Sequence, residues 1–206
     1  MGEQEYAVLV PVKPPAVGKS RLTGLTDATR RELAAAFALD TVLACLATPR
    51  VASVLAVTDD ARFAQRLTDA GCAVIPDGPA GELNTSLRLA AAEATRRWPH
   101  LLPVAVCADL PALASSDLDE ALRQVTADGA SFVADAAGTG TTLYAAPLER
   151  FDPRFGPGSR AAHLDAGARE LHGDLVTLRQ DVDDPDDLER ARGLGLGPHT
   201  AALEMQ

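Results

Sequence analysis

The chain of 206 residues is 47% hydrophobic but only 4% aromatic, which fits one α/β domain with a core of Ala, Val and Leu. No apolar run approaches the roughly 20 uncharged residues of a membrane helix, and the start at Met1-Gly2-Glu3 carries acid where a secretory signal carries base, so a cytoplasmic protein with no membrane partner is expected. A net charge of -10 without any basic stripe argues against a nucleic-acid partner and leaves small anions to be bound locally, by backbone N–H groups, a few cations and a metal.

In chain order, a strand at Tyr6–Val12 is followed by a helix at Asp27–Ala47 with Asp27 as its cap, then by a strand at Val51–Val57. A helix at Ala61–Ala70, a strand at Ala73–Ile75, a helix at Leu83–Arg97 and a strand at Val104–Ala108 come next. The helix at Ser116–Val125 opens on an acidic turn containing Asp119, and strands follow at Ser131–Val133 and Thr142–Ala145. A helix at Ser159–Leu171, a strand at Leu175–Thr177 and a helix at Pro185–Leu194, with Pro at its first position, complete the pattern. Residues after Gly195 read as a weakly ordered tail. Strands alternating with helices predict a largely parallel sheet covered by helices on both faces. Cys45, Cys72 and Cys107 lie in separate apolar stretches without metal-type spacing and read as buried thiols.

In such sheets ligands sit beyond the carboxyl ends of the strands. The loop after the first strand holds Lys13, Gly18, Lys19, Ser20 and Arg21, and Lys13 and Lys19 are the only lysines of the chain. Gly allows close backbone approach, Lys supplies a compact charge and Arg a fork that matches phosphate oxygens. Gly18-Lys19-Ser20 matches the end of a P-loop, but the first Gly of that motif is replaced by Lys13, and Pro14 and Pro15 remove N–H donors from the cradle. After the strand ending at Ala108, Asp109 either holds magnesium or caps the turn before Leu110-Pro111. In the acidic run Asp181-Val182-Asp183-Asp184 the alternation puts Asp181 and Asp183 on one face of an extended segment, and either could join Asp109 as a metal ligand. The segments Gly138–Thr142 and Phe155–Arg160 are rich in Gly and hydroxyl groups, and suit either a second phosphate or carboxylate or two plain turns.

Together these residues resemble the guanylyltransferases of coenzyme F-420 biosynthesis, which move GMP from GTP to phosphoenolpyruvate or 2-phospho-L-lactate. The likeness rests on Pro11-Val12-Lys13, Gly18-Lys19-Ser20-Arg21-Leu22, Asp77 with Glu82-Leu83-Asn84, Ala108-Asp109-Leu110-Pro111, Gly156 to Ser159, and Asp181 to Pro185. It implies a Rossmann-like three-layer αβα sandwich with a mixed, mostly parallel sheet, the nucleotide-diphospho-sugar transferase fold. It further implies that Pro11, Lys13, Gly18, Lys19, Arg21, Asp77 and Asn84 bind the nucleotide, with Lys13, Lys19 and Arg21 on the triphosphate. Asp109 and Asp181 become the ligands of Mg2+, these two acids and the three cations form the catalytic set, and Thr141, Gly156 and Ser159 hold the acceptor. Gly18 stands where the family has Ala, and Asp181-Val182-Asp183-Asp184-Pro185 has Asp184 where Thr is usual, but neither change removes a charged ligand. The Gly-Gly-rich first loop of molybdenum-cofactor guanylyltransferases is absent.

On this reading an acceptor that is already an anion attacks the α-phosphorus, so no general base is required, and His100, His163, His172 and His199 are read as surface or helix residues. The alternatives are another small-molecule nucleotidyltransferase of the same fold, a kinase or NTPase that releases nucleoside diphosphate, and a non-catalytic nucleotide-binding module. A homodimer is compatible with the sequence.

Overall fold

The computed structural model describes residues 4–12, 26–78 and 82–205; Lys13, Gly18, Lys19 and Arg21 lie outside them. Among the described residues, β1 (Tyr6–Pro11), β2 (Val51–Val57), β3 (Ala73–Ile75), β4 (Leu102–Val106), β5 (Ser131–Ala134), β6 (Thr141–Ala145) and β7 (Arg169–Glu170) form one sheet in the order β3-β2-β1-β4-β6-β5-β7. Every neighbouring pair is parallel except the two made by β6. Helices α1 (Asp27–Leu46), α2 (Ala61–Asp69), α3 (Leu83–Arg97), α4 (Ser115–Gln124), α5 (Ser159–Asp165), α6 (Val176–Arg179), α7 (Pro185–Leu194) and α8 (Pro198–Glu204) complete the set.

The period-2 alternation of β1 explains the layering. Tyr6, Val8, Val10 and Val12 share a buried cluster with Ala38, Leu39 and Val42 of α1, Phe63 and Leu67 of α2, and Leu118 and Leu122 of α4. Ala7 and Leu9 point to the other face, against Leu87, Ala90, Ala91 and Ala94 of α3. A third cluster lies off the sheet, where Leu33 and Phe37 of α1 meet Ala112, Val182 and Ala191. Each Leu or Phe fully withdrawn from water in this way contributes about 1.5–3 kcal/mol. No helix among the described residues is long and apolar enough to cross a membrane.

β1 sits between β2 and β4, so the chain leaves β1 in one direction along the sheet and reaches β4 in the other. A crevice opens at the carboxyl ends of those two strands, where the order reverses. The reversed strand β6 matters equally: Val106 at the end of β4 is paired with Leu143 near the start of β6. That antiparallel step brings Thr141 to the same edge as Asp109.

Four sequence expectations are corrected. The helix expected at Ser159–Leu171 stops at Asp165, because Gly167 takes a positive φ of 81° and lets the chain reverse into β7 beside β5. The strand expected at Leu175–Thr177 is instead the helical turn α6: Leu175 and Leu178 are buried at helical spacing, and the Thr177 N–H is taken by the Asp117 carboxylate at 2.9 Å, not by a strand neighbour. The long first helix is capped by Thr26, whose Oγ1 accepts from the Thr29 N–H at 3.2 Å, while Asp27 pairs with Arg30. The expected loose tail contains α8, whose first N–H groups are gripped by a buried carboxylate: Asp40 accepts from His199 and Thr200 at 2.9 and 2.8 Å. Cys45 and Cys72 are buried as expected, whereas Cys107 is only partly so.

Candidate active site

Two carboxylate-bearing segments meet at the carboxyl edge of the sheet. Asp109 follows β4, and its carbonyl accepts the Val182 N–H at 3.0 Å, which fixes the 109 and 181–183 loops to each other by backbone alone. Val182 is fully buried in the third cluster. Extended alternation therefore turns its neighbours outward, and one ligand atom each from Asp109, Asp181 and Asp183 lies within 4.8 Å of the others. Three oxygen donors with no His or Cys fit a hard divalent cation such as magnesium or manganese. Asp181 and Asp183, which the sequence left as alternatives, both have a carboxylate oxygen in this cluster.

The supports of this cluster come from three directions. Thr41, inside α1, donates its hydroxyl to the Phe37 carbonyl at 2.8 Å and accepts the Leu110 N–H at 3.1 Å. The Gly197 N–H donates to the Pro111 carbonyl at 2.7 Å. Asp187, in the first turn of α7, accepts the Asp183 and Asp184 N–H groups at 3.1 and 3.2 Å, while Asp184 accepts from the Asp187 N–H at 2.9 Å. Partial burial disfavours charge on Asp187, but the hydrogen bond from Arg190 and those two backbone donors outweigh it and hold its carboxyl below the usual range. Asp187 thus orders the backbone that carries Asp183. Asp187→Ala should cost about 1 kcal/mol in stability by loss of the cap and weaken divalent-ion binding about tenfold by loosening Asp183; calorimetric titration with Mn2+ reads the second effect, and unchanged affinity refutes the link.

The second half of the site is built from the two Gly-rich segments. Asp135, after β5, accepts the Thr139 and Gly140 N–H groups at 2.9 and 2.8 Å and so winds the turn that leads into Thr141. A Cβ on Gly140 would stand 2.3 Å from Asp135 Oδ2, so any larger residue there would displace the carboxylate that winds the turn. The Arg160 N–H donates to the Thr139 carbonyl at 3.1 Å, joining this turn to the Phe155–Arg160 segment. Arg160's guanidinium is directed to Glu170, in an ion pair at 2.9 Å. Gly156 and Gly158 both have positive φ, 138° and 71°, and no atom beyond their chain neighbours lies within 4 Å of where a Cβ would be, so the turn leaves open space above it. Ser159 is buried at its base.

Asn84 faces this turn. Its Nδ2 donates to the Phe155 carbonyl at 2.9 Å and its Oδ1 accepts the Phe155 N–H at 2.8 Å. Asp77 spends one oxygen on the Gly78 N–H, and its own N–H is held by Asp59 Oδ1, both at 2.9 Å. Pro11 ends β1 beside Val57 of β2, two residues before Lys13, which lies outside the described residues.

Sequence reasoning missed His163. It is completely buried beneath the two Gly-rich segments, stacked against Phe132 and Tyr144 with ring centroids at 5.3 and 4.8 Å. Burial, reinforced by the charge of Arg154, lowers its pKa to about 4 against the opposing hydrogen bond to Ser159 and the charge of Asp152. Only its i, i+4 spacing from Ser159 hinted that it faces inward.

Solved structures share this architecture. A protein from Desulfovibrio desulfuricans G20 assigned to the nucleotide-diphospho-sugar transferases superposes with a TM-score of 0.71 at 16% identity, covering 98% of this chain and 95% of that one. CMP:2-keto-3-deoxy-manno-octonic acid synthetase in complex with CTP gives 0.57 at 16%, covering 93% and 98%. The fold is therefore that of nucleotide-diphospho-sugar transferases, and the carboxylate cluster stands at the carboxyl edge of its sheet. The family model for CofC-like guanylyl transferases matches residues 6–199, and the chain belongs to that family. Its relatives include the phosphoenolpyruvate guanylyltransferases of Thermomonospora curvata, 47% identical over 98% of this chain and 89% of that one, and of Streptomyces scabiei, 48% identical over 96% and 95%.

Proposed function

We propose that this protein is a cytoplasmic enzyme that transfers GMP from GTP to phosphoenolpyruvate and releases pyrophosphate. The observation that carries the reading is the meeting of an all-carboxylate cluster with a Gly- and hydroxyl-lined turn at one sheet edge, in a chain nearly half identical to phosphoenolpyruvate guanylyltransferases. A phosphate oxygen of the acceptor forms the new bond to the α-phosphorus of GTP, and the bond from that phosphorus to the bridging oxygen of the β-phosphate breaks. The nucleophile is already an anion. No proton has to be removed, and the work of the chain is to orient two anions and neutralise their charge.

Asp109, Asp181 and Asp183 would hold Mg2+, which supplies charge neutralisation on the reacting phosphates. Lys13, Lys19 and Arg21 are assigned to the triphosphate, with Pro11, Gly18 and Asp77 shaping the nucleotide pocket. Thr141, Gly156 and Ser159 hold the phosphate and carboxylate of the acceptor. Asn84, assigned to the nucleotide by resemblance, is better supported as the brace of the acceptor turn through its paired bonds to Phe155.

Purified protein given GTP, Mg2+ and either phosphoenolpyruvate or 2-phospho-L-lactate should form enolpyruvoyl-diphospho-guanosine with the former, seen as product mass together with stoichiometric pyrophosphate. Release of GDP, or preference for 2-phospho-L-lactate, contradicts the assignment. Within the site, Ser159→Ala should raise the KM for phosphoenolpyruvate about tenfold and that for GTP less than twofold, since it removes a donor to the acceptor alone. Equal shifts in both constants contradict this division.

A further inference from the structure

His163 is more than core filling. Its two ring nitrogens are both engaged: Nε2 lies 2.9 Å from the Arg154 backbone nitrogen and Nδ1 lies 3.0 Å from Thr141 Oγ1. A backbone N–H can only donate, so Nε2 carries the lone pair. A neutral imidazole then has its proton on Nδ1. With Nε2 occupied, the bond to the Ser159 carbonyl also comes from the Nδ1 side, so that proton lies between this carbonyl and Thr141 Oγ1; facing an N–H, Oγ1 can only accept, and the hydroxyl hydrogen of Thr141 is left to point elsewhere. Phe155 closes the third side of the ring, edge-on at 5.8 Å, so the imidazole cannot turn over to exchange its nitrogens without unpacking three aromatic neighbours.

We propose that His163 is a positioning residue of the acceptor site, locked as the Nδ1–H tautomer so that Thr141 presents its hydroxyl solely as a donor to an anionic group of the acceptor. The same ring joins both walls of the site. Through Nε2 it holds the backbone of Arg154 at the entry to the Gly156–Ser159 turn, and through Nδ1 it holds Thr141 on β6. A threonine hydroxyl free to rotate would meet an oxyanion as donor only part of the time; one that already accepts from an imidazole meets it as donor always, which suits a phosphate or carboxylate and disfavours a ligand that needs an acceptor there. The inference rests on the assignment of Thr141 to the acceptor.

Two substitutions separate the ring's functions. Asn at this position retains an N–H near Nδ1, and Gln retains an oxygen near Nε2. His163→Gln should raise the KM for phosphoenolpyruvate about tenfold with GTP affected less than twofold, and His163→Asn should raise it less. Thr141→Val, which deletes the donor itself, should raise it at least as much as His163→Gln, and the double variant should be no worse than Thr141→Val alone, because His163 acts through the hydroxyl that Thr141→Val removes. If Thr141→Val raises the acceptor KM while His163→Gln leaves it unchanged, or if the two effects add, His163 has no role through Thr141. If Thr141→Val itself is silent, the acceptor assignment fails and this inference with it. A readout on the unaltered protein does not depend on variants folding: 15N-histidine NMR should show one imidazole protonated at Nδ1 and bare at Nε2, whose Nδ1 signal moves when phosphoenolpyruvate is added. An Nε2–H tautomer, or a signal indifferent to phosphoenolpyruvate, overturns the proposal.

Discussion

Asp109→Asn and Asp181→Asn should each reduce turnover at least about a hundredfold, or roughly 2.7 kcal/mol of transition-state stabilisation, with no loss of folded structure. The reason for expecting so clean an effect is that Asp109 is held by its main chain. The bond from Val182 to its carbonyl and the bond from Leu110 to Thr41 survive the change, so Asn keeps the shape of the loop and removes only one charge. Asp181 is placed similarly, with its N–H on the Arg179 carbonyl at 3.1 Å and Val182 anchored beside it. Relief of repulsion among three carboxylates within 4.8 Å should leave the thermal midpoint in chelator unchanged or raised. Steady-state turnover with Mg2+ and melting in EDTA are the measurements. Wild-type turnover in either variant removes that residue from the metal site, and a lower midpoint in chelator would show that the carboxylate supports the fold instead.

Stability should fall by about 3 kcal/mol between pH 6.5 and pH 4 through His163 alone. Its folded pKa of about 4 lies below the 6.5 of a solvated imidazole. As pH drops, the unfolded chain therefore takes up the proton first. The contribution is present in full above pH 6.5, is lost as pH falls through this window, and changes no further below it. The surroundings give the proton no welcome: Phe132, Tyr144 and Phe155 line the ring, Arg154 repels it, and Asp152 and the Ser159 carbonyl compensate only in part. Carboxylates also titrate near the lower end of this window, so the test is a comparison. Urea unfolding of the wild type and of His163→Gln should diverge with pH, the variant losing less stability on acidification; parallel curves would show that the imidazole is not buried as a neutral group.

The parts of this molecule that were legible in its sequence are those where one short stretch carries its own constraint. Alternation along Tyr6–Val12 reports a two-sided strand, and Asp181-Val182-Asp183 reports one inward apolar residue between two outward acids. Residues whose partners are remote in the chain were not legible. Asn84 meets Phe155 across 71 positions and His163 meets Thr141 across 22, so neither pairing leaves a local pattern. Val176 and Thr177 misled because β-branched residues favour strands, whereas Leu175 and Leu178 bury at the spacing of a helical turn and Asp117 claims the Thr177 N–H. The final helix was missed because its signal lies elsewhere: a lone acid, Asp40, in the buried face of α1 is the clue that N–H donors must arrive from some other part of the chain.

That dependence has a temporal side. Asp40 and its donor Thr200 are separated by 160 positions, and at translation rates of about 5–20 residues per second the carboxylate waits roughly ten to thirty seconds for its partner to be synthesised. Meanwhile Gly197 has not yet reached the Pro111 carbonyl, and the loop bearing Asp109 lacks one of its supports. A growing chain would carry a nearly complete sheet and an unfinished carboxylate cluster, so catalytic competence should appear only after the segment around 197–200 has docked, as one of the last events in the biogenesis of the enzyme.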